Sequence, residues 1–191
     1  MVFSLFELFD AFVITAFMGF FFMDMFKKPK AIDYDPLTDT SYKKGFDWDA
    51  FKFAALVTAP AILLHELAHK LVAISYGLHA TFHAAYTWLG IGLVMKLLNF
   101  GFIFFVPAFV AHSGGASPFQ SAMISGAGPF INFILFLAAY LYLKFGNAKP
   151  KYKPLLILTK RINLFLFAFN LIPIPGFDGS KFFAGLFATF F

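Results

Sequence analysis

The sequence predicts an all-α polytopic membrane protein with about four membrane segments and one re-entrant or hairpin element. Hydrophobic residues make up 60% of the 191 positions and charged residues 13%, whereas soluble domains are about half apolar and about a quarter charged. The mean hydropathy is +0.77, and several apolar stretches approach the roughly 20 residues that a helix needs to cross a bilayer. We therefore expect one integral, multi-pass membrane domain over residues 1–191, placed in the cell membrane.

Composition also limits the chemistry and the partners. Cysteine is absent, so disulfides, thiolate metal ligands and cysteine nucleophiles are excluded, and any metal must bind histidine and carboxylate groups. The net charge is +5, but the lysines fall mostly in loops between apolar segments, where they set membrane topology. This pattern predicts the lipid bilayer as a partner and excludes a nucleic-acid surface.

The first predicted segment covers residues 11–26, and the apolar sequence before it is interrupted by Glu7 and Asp10. We interpret the whole stretch, residues 1–28, as an N-terminal membrane helix. A polar loop rich in prolines and charged residues follows at residues 29–49.

The second segment covers residues 51–76 and contains H-E-x-x-H as His65-Glu66-Leu-Ala-His69, followed by Lys70. Residues four apart lie on one face of a helix, so both imidazoles can bind one metal ion, most often zinc. Glu66 then lies beside the metal as a candidate general base. A single helical histidine is more often a packed core residue, but ionisable groups within a membrane helix mark a functional site by default. Lys70 is expected to extend along the helix towards the nearer membrane surface.

Residues 78–117 are predicted to form the re-entrant or hairpin element. Residues 81–88 have a strand-like composition, and the apolar stretch 89–110 contains Lys96, which a full crossing would place in lipid. A hairpin packed against protein avoids that cost, whereas the alternative, a full crossing, would reverse the topology downstream. Three histidines are interpreted here as interfacial or hydrogen-bonding residues rather than ligands: His79, His83 and His112.

The third segment covers residues 122–143 and begins with a run of small residues at positions 125–129. Small residues allow another helix backbone to approach closely, so packing is the simplest interpretation. Asn132 lies in the middle of this segment, where a polar side chain needs a partner. Packing and a place at the functional site are both open interpretations, and they are compatible.

The fourth segment covers residues 154–169 and is broken at residues 170–179 by two prolines and two glycines, before a short helix at residues 180–191. Three polar residues interrupt it: Lys160, Arg161 and Asn163. A broken helix is tolerated in a membrane where it lines a cavity or a site. The break carries one carboxylate, Asp178. Two histidines and one carboxylate leave the fourth zinc position for water, as in hydrolytic sites.

Three motifs occur in order along the chain: His65-Glu-Leu-Ala-His69, Gly128-Pro-Phe-Ile-Asn132 and Asn170-x-x-Pro173-x-Pro175-x-x-Asp178-Gly179. Together they resemble the motifs of the site-2 protease family of zinc intramembrane metalloproteases. The resemblance covers about residues 51–185, which would form the catalytic core. Within the family, the chain is similar to the compact archaeal members.

The resemblance implies one Zn²⁺ per chain, with His65, His69 and Asp178 as ligands and Glu66 as the acid and base. It also implies that Asn132 and Asn170 hold the substrate strand or the oxyanion. The expected activity is zinc-dependent endopeptidase cleavage of transmembrane segments in membrane-anchored protein substrates, as in regulated intramembrane proteolysis. Within residues 1–191 we expect no PDZ or CBS domain of the kind found in some relatives.

One alternative function fits the same residues, and the membrane orientation is open. A non-catalytic zinc-binding membrane protein, with a chaperone-like or metal-transport role, would share the ligands, but Glu66 between the two histidines argues for catalysis. The membrane orientation is open as well. The lysines place the loops at residues 27–50 and 144–153 on the cytoplasmic side, whereas the resemblance places the Gly77 end of the second segment there.

Overall fold

Helices dominate the structure, a computed structural model that describes residues 3–26, 46–100 and 106–191. The described residues form six α-helices and two short strands. In chain order these are α1 (Leu5–Phe22), α2 (Trp48–Ser75), β1 (His79–Ala84), α3 (Tyr86–Leu97), β2 (Ala108–Ser113), α4 (Pro118–Phe145), α5 (Lys153–Asn170) and α6 (Asp178–Phe190).

Three stretches of the described chain are helical, long and apolar enough to cross a membrane: Leu5–Phe26, Trp48–Ser75 and Pro118–Phe145. They correspond to the first three predicted segments, in agreement with a helical, multi-pass membrane protein. Helix α5 follows the fourth predicted segment closely but is not among the three. Most of the predicted polar loop at residues 29–49, and part of the apolar stretch 89–110, lie outside the described residues.

The two strands form an antiparallel pair, and α3 lies in the connection between them. The side chains of β1 alternate between exposed and buried positions, with Ala80, Phe82 and Ala84 buried. The strand-like composition predicted at residues 81–88 is therefore displaced, because the strand begins two residues earlier and Tyr86 already belongs to α3.

Helix α1 is held against β1 by two carboxylates. The Glu7 Oε1 atom accepts a hydrogen bond of 2.8 Å from the Phe82 backbone N–H, and Asp10 Oδ2 accepts one of 3.1 Å from the Ala84 N–H. The Tyr86 hydroxyl donates to the other oxygen of Asp10. The two acidic residues that interrupt the first segment thus satisfy alternate backbone groups along one edge of β1.

Lys70 points into the protein, towards α1. Its side chain is 2% exposed and its ammonium forms an ion pair with Glu7. The prediction that Lys70 extends along its helix to the membrane surface is therefore wrong, because a carboxylate is available inside the fold. Lys96 is also paired within the protein, lying 2.7 Å from Asp24 and donating to the carbonyl of Phe20 near the end of α1.

Helix α4 is the central element of the second half of the chain, because it contacts α2, α5 and α6. Ser117 caps its first turn and forms a reciprocal pair of hydrogen bonds with Gln120. The contact between α4 and α2 brings one face of α4 against the H-E-x-x-H face of α2. The residues that surround the two histidines therefore come mainly from α4 and from the start of α6.

Candidate metal centre

Three side chains from two distant parts of the chain converge at one point: His65, His69 and Asp178. The Nε2 atoms of the two histidines lie 3.0 Å apart. Asp178 Oδ2 lies 3.0 Å from the first of these nitrogens and 3.2 Å from the second. Both histidines are buried, with side chains 8% exposed, and Asp178 is 23% exposed. The structure therefore places together the three residues that the sequence predicts as ligands.

Each histidine is held through its other ring nitrogen. His69 Nδ1 lies 2.6 Å from the backbone carbonyl of Ile124 in α4. A carbonyl oxygen only accepts hydrogen bonds, so Nδ1 carries the proton and a neutral His69 has its lone pair on Nε2. His65 Nδ1 lies 2.6 Å from the amide oxygen of Asn132. Metal-binding histidines are typically oriented in this way by an acceptor on the far side of the ring.

The donor set and its spacing fit a zinc ion. Two imidazole nitrogens and a carboxylate oxygen form a triangle with sides of 3.0, 3.0 and 3.2 Å. A tetrahedral zinc with bonds of about 2.0–2.1 Å separates its ligand atoms by about 3.3–3.4 Å, so the triangle needs only a small expansion. When both rings are neutral and protonated on Nδ1, these three atoms are all acceptors, and a cation between them would accept their lone pairs.

Gly128 leaves the space that an ion would occupy. A Cβ atom added at this position would overlap the Nε2 atoms of both His65 and His69. A side chain of any size at position 128 would therefore fill the region between the two imidazoles. The glycine of the Gly128-Pro129 pair contributes room at the centre as well as close helix packing.

The break between α5 and α6 delivers Asp178 to this point. Helix α5 ends at Asn170, the chain turns through residues 171–177, and α6 begins at Asp178 itself. The next residue, Gly179, packs so tightly on the turn that a Cβ atom would overlap backbone atoms of Leu171 and Ile172. The predicted helix break is confirmed, and the Asp178-Gly179 pair combines a candidate ligand with the glycine that lets its helix begin there.

Glu66 lies next to His65 on α2 and is 8% exposed. Its carboxylate makes no hydrogen bond to any residue that the structure describes. A carboxylate placed beside the ligands, and not bound by other side chains or backbone groups, can take up and release a proton. The geometry is therefore compatible with the acid and base role that the sequence predicts.

The two predicted substrate-binding asparagines have different environments. Asn132 is 0% exposed, and its amide nitrogen donates to the carbonyl of Ala61 at 3.0 Å and to Asn163 Oδ1 at 2.8 Å. Asn170, the last residue of α5, is partly exposed, and its side chain makes no hydrogen bond within the described part of the chain. The substrate-binding role stays a prediction for both residues.

The remaining histidines lie away from the centre, on the two strands. His83 Nε2 is 3.0 Å from the Thr81 hydroxyl. Among the residues described, the one group of three or more side chains that could hold a metal is formed by His65, His69 and Asp178. The sequence predicts close packing for the run that contains Gly128, but it predicts no role at this centre for Gly128 or for Asn163. The available signals were a lone amide inside an apolar segment and a glycine beside the proline of α4.

Comparisons with known proteins give one informative match. The chain is 33% identical over 132 residues, 69% of its length and 69% of the other protein, to a protein of Methanocaldococcus jannaschii named "Putative zinc metalloprotease". No protein-family description matches the chain. No solved structure matches it either.

Proposed function

The chain belongs to the same family as this metalloprotease relative, and on that premise we propose that it is a zinc-dependent intramembrane endopeptidase of the site-2 protease type. The observation that carries the proposal is the convergence of His65, His69 and Asp178, with Glu66 beside them. His65, Glu66 and His69 lie on α2, a helix long and apolar enough to cross a membrane. The proposed substrates are membrane-anchored proteins whose transmembrane segments are cleaved, as in regulated intramembrane proteolysis.

The proposed chemistry is the addition of water across a peptide bond. One zinc ion per chain, held by His65, His69 and Asp178, would supply Lewis acidity that acidifies a water molecule towards a pKa of about 7 and polarises the scissile carbonyl. Glu66 accepts a proton from the attacking water and delivers it to the leaving nitrogen. The water oxygen bonds to the carbonyl carbon and the C–N bond breaks, which leaves a carboxyl group and an amine.

Substrate binding is proposed to need local unwinding. A membrane helix satisfies its own backbone hydrogen bonds, so a scissile peptide can reach the centre only when some of those bonds open. The freed N–H and C=O groups then need partners in the enzyme. Asn170 supports this part of the proposal best, because its side chain is partly exposed next to the break. Asn132 is retained as a candidate, although its amide is already bonded to Ala61, Asn163 and His65.

The membrane arrangement follows from the same proposal. Helices α5 and α6 together would form a fourth membrane-inserted element, broken at the residues before Asp178 so that the carboxylate reaches the centre at membrane depth. The β1–α3–β2 unit would be the re-entrant or hairpin element, covered by α1. Lys96 is paired with Asp24 and with backbone carbonyls of α1, which supports a hairpin packed on protein.

The experiment compares cleavage and zinc content in one preparation. The detergent-solubilised protein is assayed on a transmembrane peptide and on a soluble peptide with the same scissile sequence, before chelation, after chelation and after zinc is restored. We expect zinc-dependent cleavage of the transmembrane peptide. Bound zinc without any cleavage would favour the alternative, a non-catalytic zinc-binding protein with a chaperone-like or metal-transport role.

A further inference from the structure

Two buried asparagines connect His65 to helix α5. Asn132 is 0% exposed and Asn163 is 1% exposed. Asn163 Nδ2 donates to the carbonyl of Thr159 at 2.8 Å, and its Oδ1 accepts from Asn132 Nδ2 at 2.8 Å. Asn132 Oδ1 in turn lies 2.6 Å from His65 Nδ1. The hydrogen bonds run without interruption from the backbone of α5 to a candidate metal ligand on α2.

The donor and acceptor of each hydrogen bond between Thr159, Asn163, Asn132 and His65 are fixed by backbone carbonyls, which only accept. The Thr159 carbonyl requires the amino group of Asn163, so the amide oxygen of Asn163 must face Asn132. The Ala61 carbonyl requires the amino group of Asn132, 3.0 Å away, so the amide oxygen of Asn132 must face His65. His65 Nδ1 must then be the donor, so a neutral His65 ring has its lone pair on Nε2, the atom that faces Asp178 and His69.

We infer that Asn163 is a positioning residue for the candidate metal centre. It holds the amide of Asn132 in the orientation that keeps His65 protonated on Nδ1 and leaves Nε2 free to bind a metal. Asn163 acts only through Asn132 and makes no contact with the three converging ligand atoms. The inference rests on the proposed function for its purpose, although the tautomer itself can be measured without any activity.

His65 needs this support more than its neighbour does. His69 is oriented by the Ile124 carbonyl, a backbone group that cannot exchange a donor for an acceptor. His65 is oriented by a side-chain amide, which can rotate by half a turn and present its amino group instead. The rotated amide would favour a proton on Nε2, directed at the position of the metal. A second acceptor for the Asn132 amino group opposes that rotation, and in an apolar interior an unpaired amino group is costly.

The first experiment measures the tautomer in the metal-free, full-length protein. Nuclear magnetic resonance with isotope-labelled histidine distinguishes a proton on Nδ1 from one on Nε2, and His65→Ala assigns the signal. We expect the wild-type protein to show only the Nδ1–H form of His65. Asn163→Leu should show a mixture of both forms, because one acceptor of the Asn132 amino group is lost. An Nε2–H form of His65 in the wild-type protein would overturn the inference without any variant.

The second experiment measures zinc affinity by competition with a chromophoric chelator. Loss of an orienting partner typically weakens metal binding about 10–100-fold, so Asn163→Leu should lie near the lower end and Asn132→Leu near the upper end. Asn163→Asp retains an oxygen that can accept from Asn132 and should bind zinc more tightly than Asn163→Leu. Asn147→Ala, an exposed asparagine after α4, is the matched control and should equal the wild-type protein.

The outcomes separate this inference from the proposed function. Suppose that the wild-type protein shows only the Nδ1–H form, that Asn163→Leu shows a mixture of both forms, and that the wild-type protein cleaves no peptide. This result would refute the protease function and leave the positioning role intact. Zinc-dependent cleavage with an unchanged tautomer and unchanged zinc affinity in Asn163→Leu would refute the positioning role alone. Equal losses in Asn163→Leu and Asn163→Asp, with lower thermal stability in both, would make Asn163 a packing residue and overturn the inference.

Discussion

Two adjacent residues of α2, His69 and Lys70, point to two different polar clusters inside an apolar protein. Lys70 meets Glu7 in a docking cluster, where the Glu7 carboxylate also accepts from the backbone N–H groups of Phe82 and Ser4. Both oxygens of that carboxylate have donors. His69 faces the other cluster, where the Nε2 atoms of His65 and His69 and the Oδ2 atom of Asp178 converge within 3.2 Å of one another.

The difference shows how burial alone fails to identify a functional site. Both clusters are costly to place in an apolar interior, and both would be flagged as functional by their position in a membrane helix. The docking cluster is complete, because every charge has an opposite charge or a hydrogen-bond donor. In the metal cluster, the contacts of Asp178 with His65 and His69 are hydrogen bonds or ion pairs only if an Nε2 atom carries a proton, and a metal ion could take the place of that proton. The kind of atoms that face one another, rather than burial, separates the two clusters: a fixed cation pairs with a carboxylate in the first, and three groups that can bind a metal converge in the second.

The largest expected effect comes from removing a ligand. His65→Ala, His69→Ala and Asp178→Ala should each lower the zinc content and reduce cleavage to background, because two protein ligands hold zinc weakly and leave its charge poorly balanced. Zinc per chain and cleavage of a transmembrane peptide are the measurements. Full zinc occupancy and activity in Asp178→Ala would show that the third ligand is wrongly assigned, and His79, His83 and His112 would then be tested in the same way.

Gly128→Ala tests the space rather than the ligands. The added Cβ atom would overlap both Nε2 atoms, so we expect zinc content to fall nearly as far as in the ligand variants although all three ligands remain. Gly90→Ala is the matched control, because a Cβ atom there would have nothing within 4 Å. Normal zinc content in Gly128→Ala, in a folded protein, would contradict the placement of the ion between the two imidazoles.

Asn170→Ala should separate substrate handling from metal binding. If Asn170 donates to the developing oxyanion or to the unwound substrate, cleavage should fall about 10²–10³-fold while zinc content stays at the wild-type level. Asn147→Ala, on the exposed turn after α4, serves as the control. A parallel loss of zinc and activity would instead make Asn170 a structural residue that holds the end of α5.

The smallest effect on cleavage is expected in the docking cluster, where the damage should appear as stability. Glu7→Gln leaves the buried Lys70 ammonium without an opposite charge, and Lys70→Met does the same to the Glu7 carboxylate. Each change should therefore lower the melting temperature. The double variant should recover part of the loss, with a coupling of about 0.5–3 kcal/mol between the two sites. Zinc content per folded chain should not change. A zinc loss comparable to that of the ligand variants would join the two clusters into one functional unit.

Much of this architecture follows from local patterns in the sequence. The three long helices follow from long, mainly apolar stretches, and the break before Asp178 follows from Pro173, Pro175 and two glycines. The H-E-x-x-H spacing places His65 and His69 on one face without any knowledge of the tertiary fold.

The sequence does not predict which polar side chains from distant parts of the chain contact each other. Lys70 was expected at the membrane surface because the nearest polar environment along its own helix lies there, but Glu7 lies 63 positions earlier in the chain. Asn163 was visible only as a polar interruption, since its bond to Asn132 depends on how α4 packs on α5. Contacts of this kind depend on tertiary packing, which the period of a helix does not encode.

Glu66→Gln tests the central claim, that this centre is a catalyst rather than a binding site. The change removes the base but conserves volume, and it leaves all three ligands in place. We expect zinc per chain to equal that of the wild-type protein and of the control Asp49→Asn, an exposed acid on the same helix. Cleavage of the transmembrane peptide should fall by about 10²–10⁴-fold, towards the upper end because Glu66 serves as both base and acid. Cleavage retained near the wild-type rate in Glu66→Gln would contradict the account.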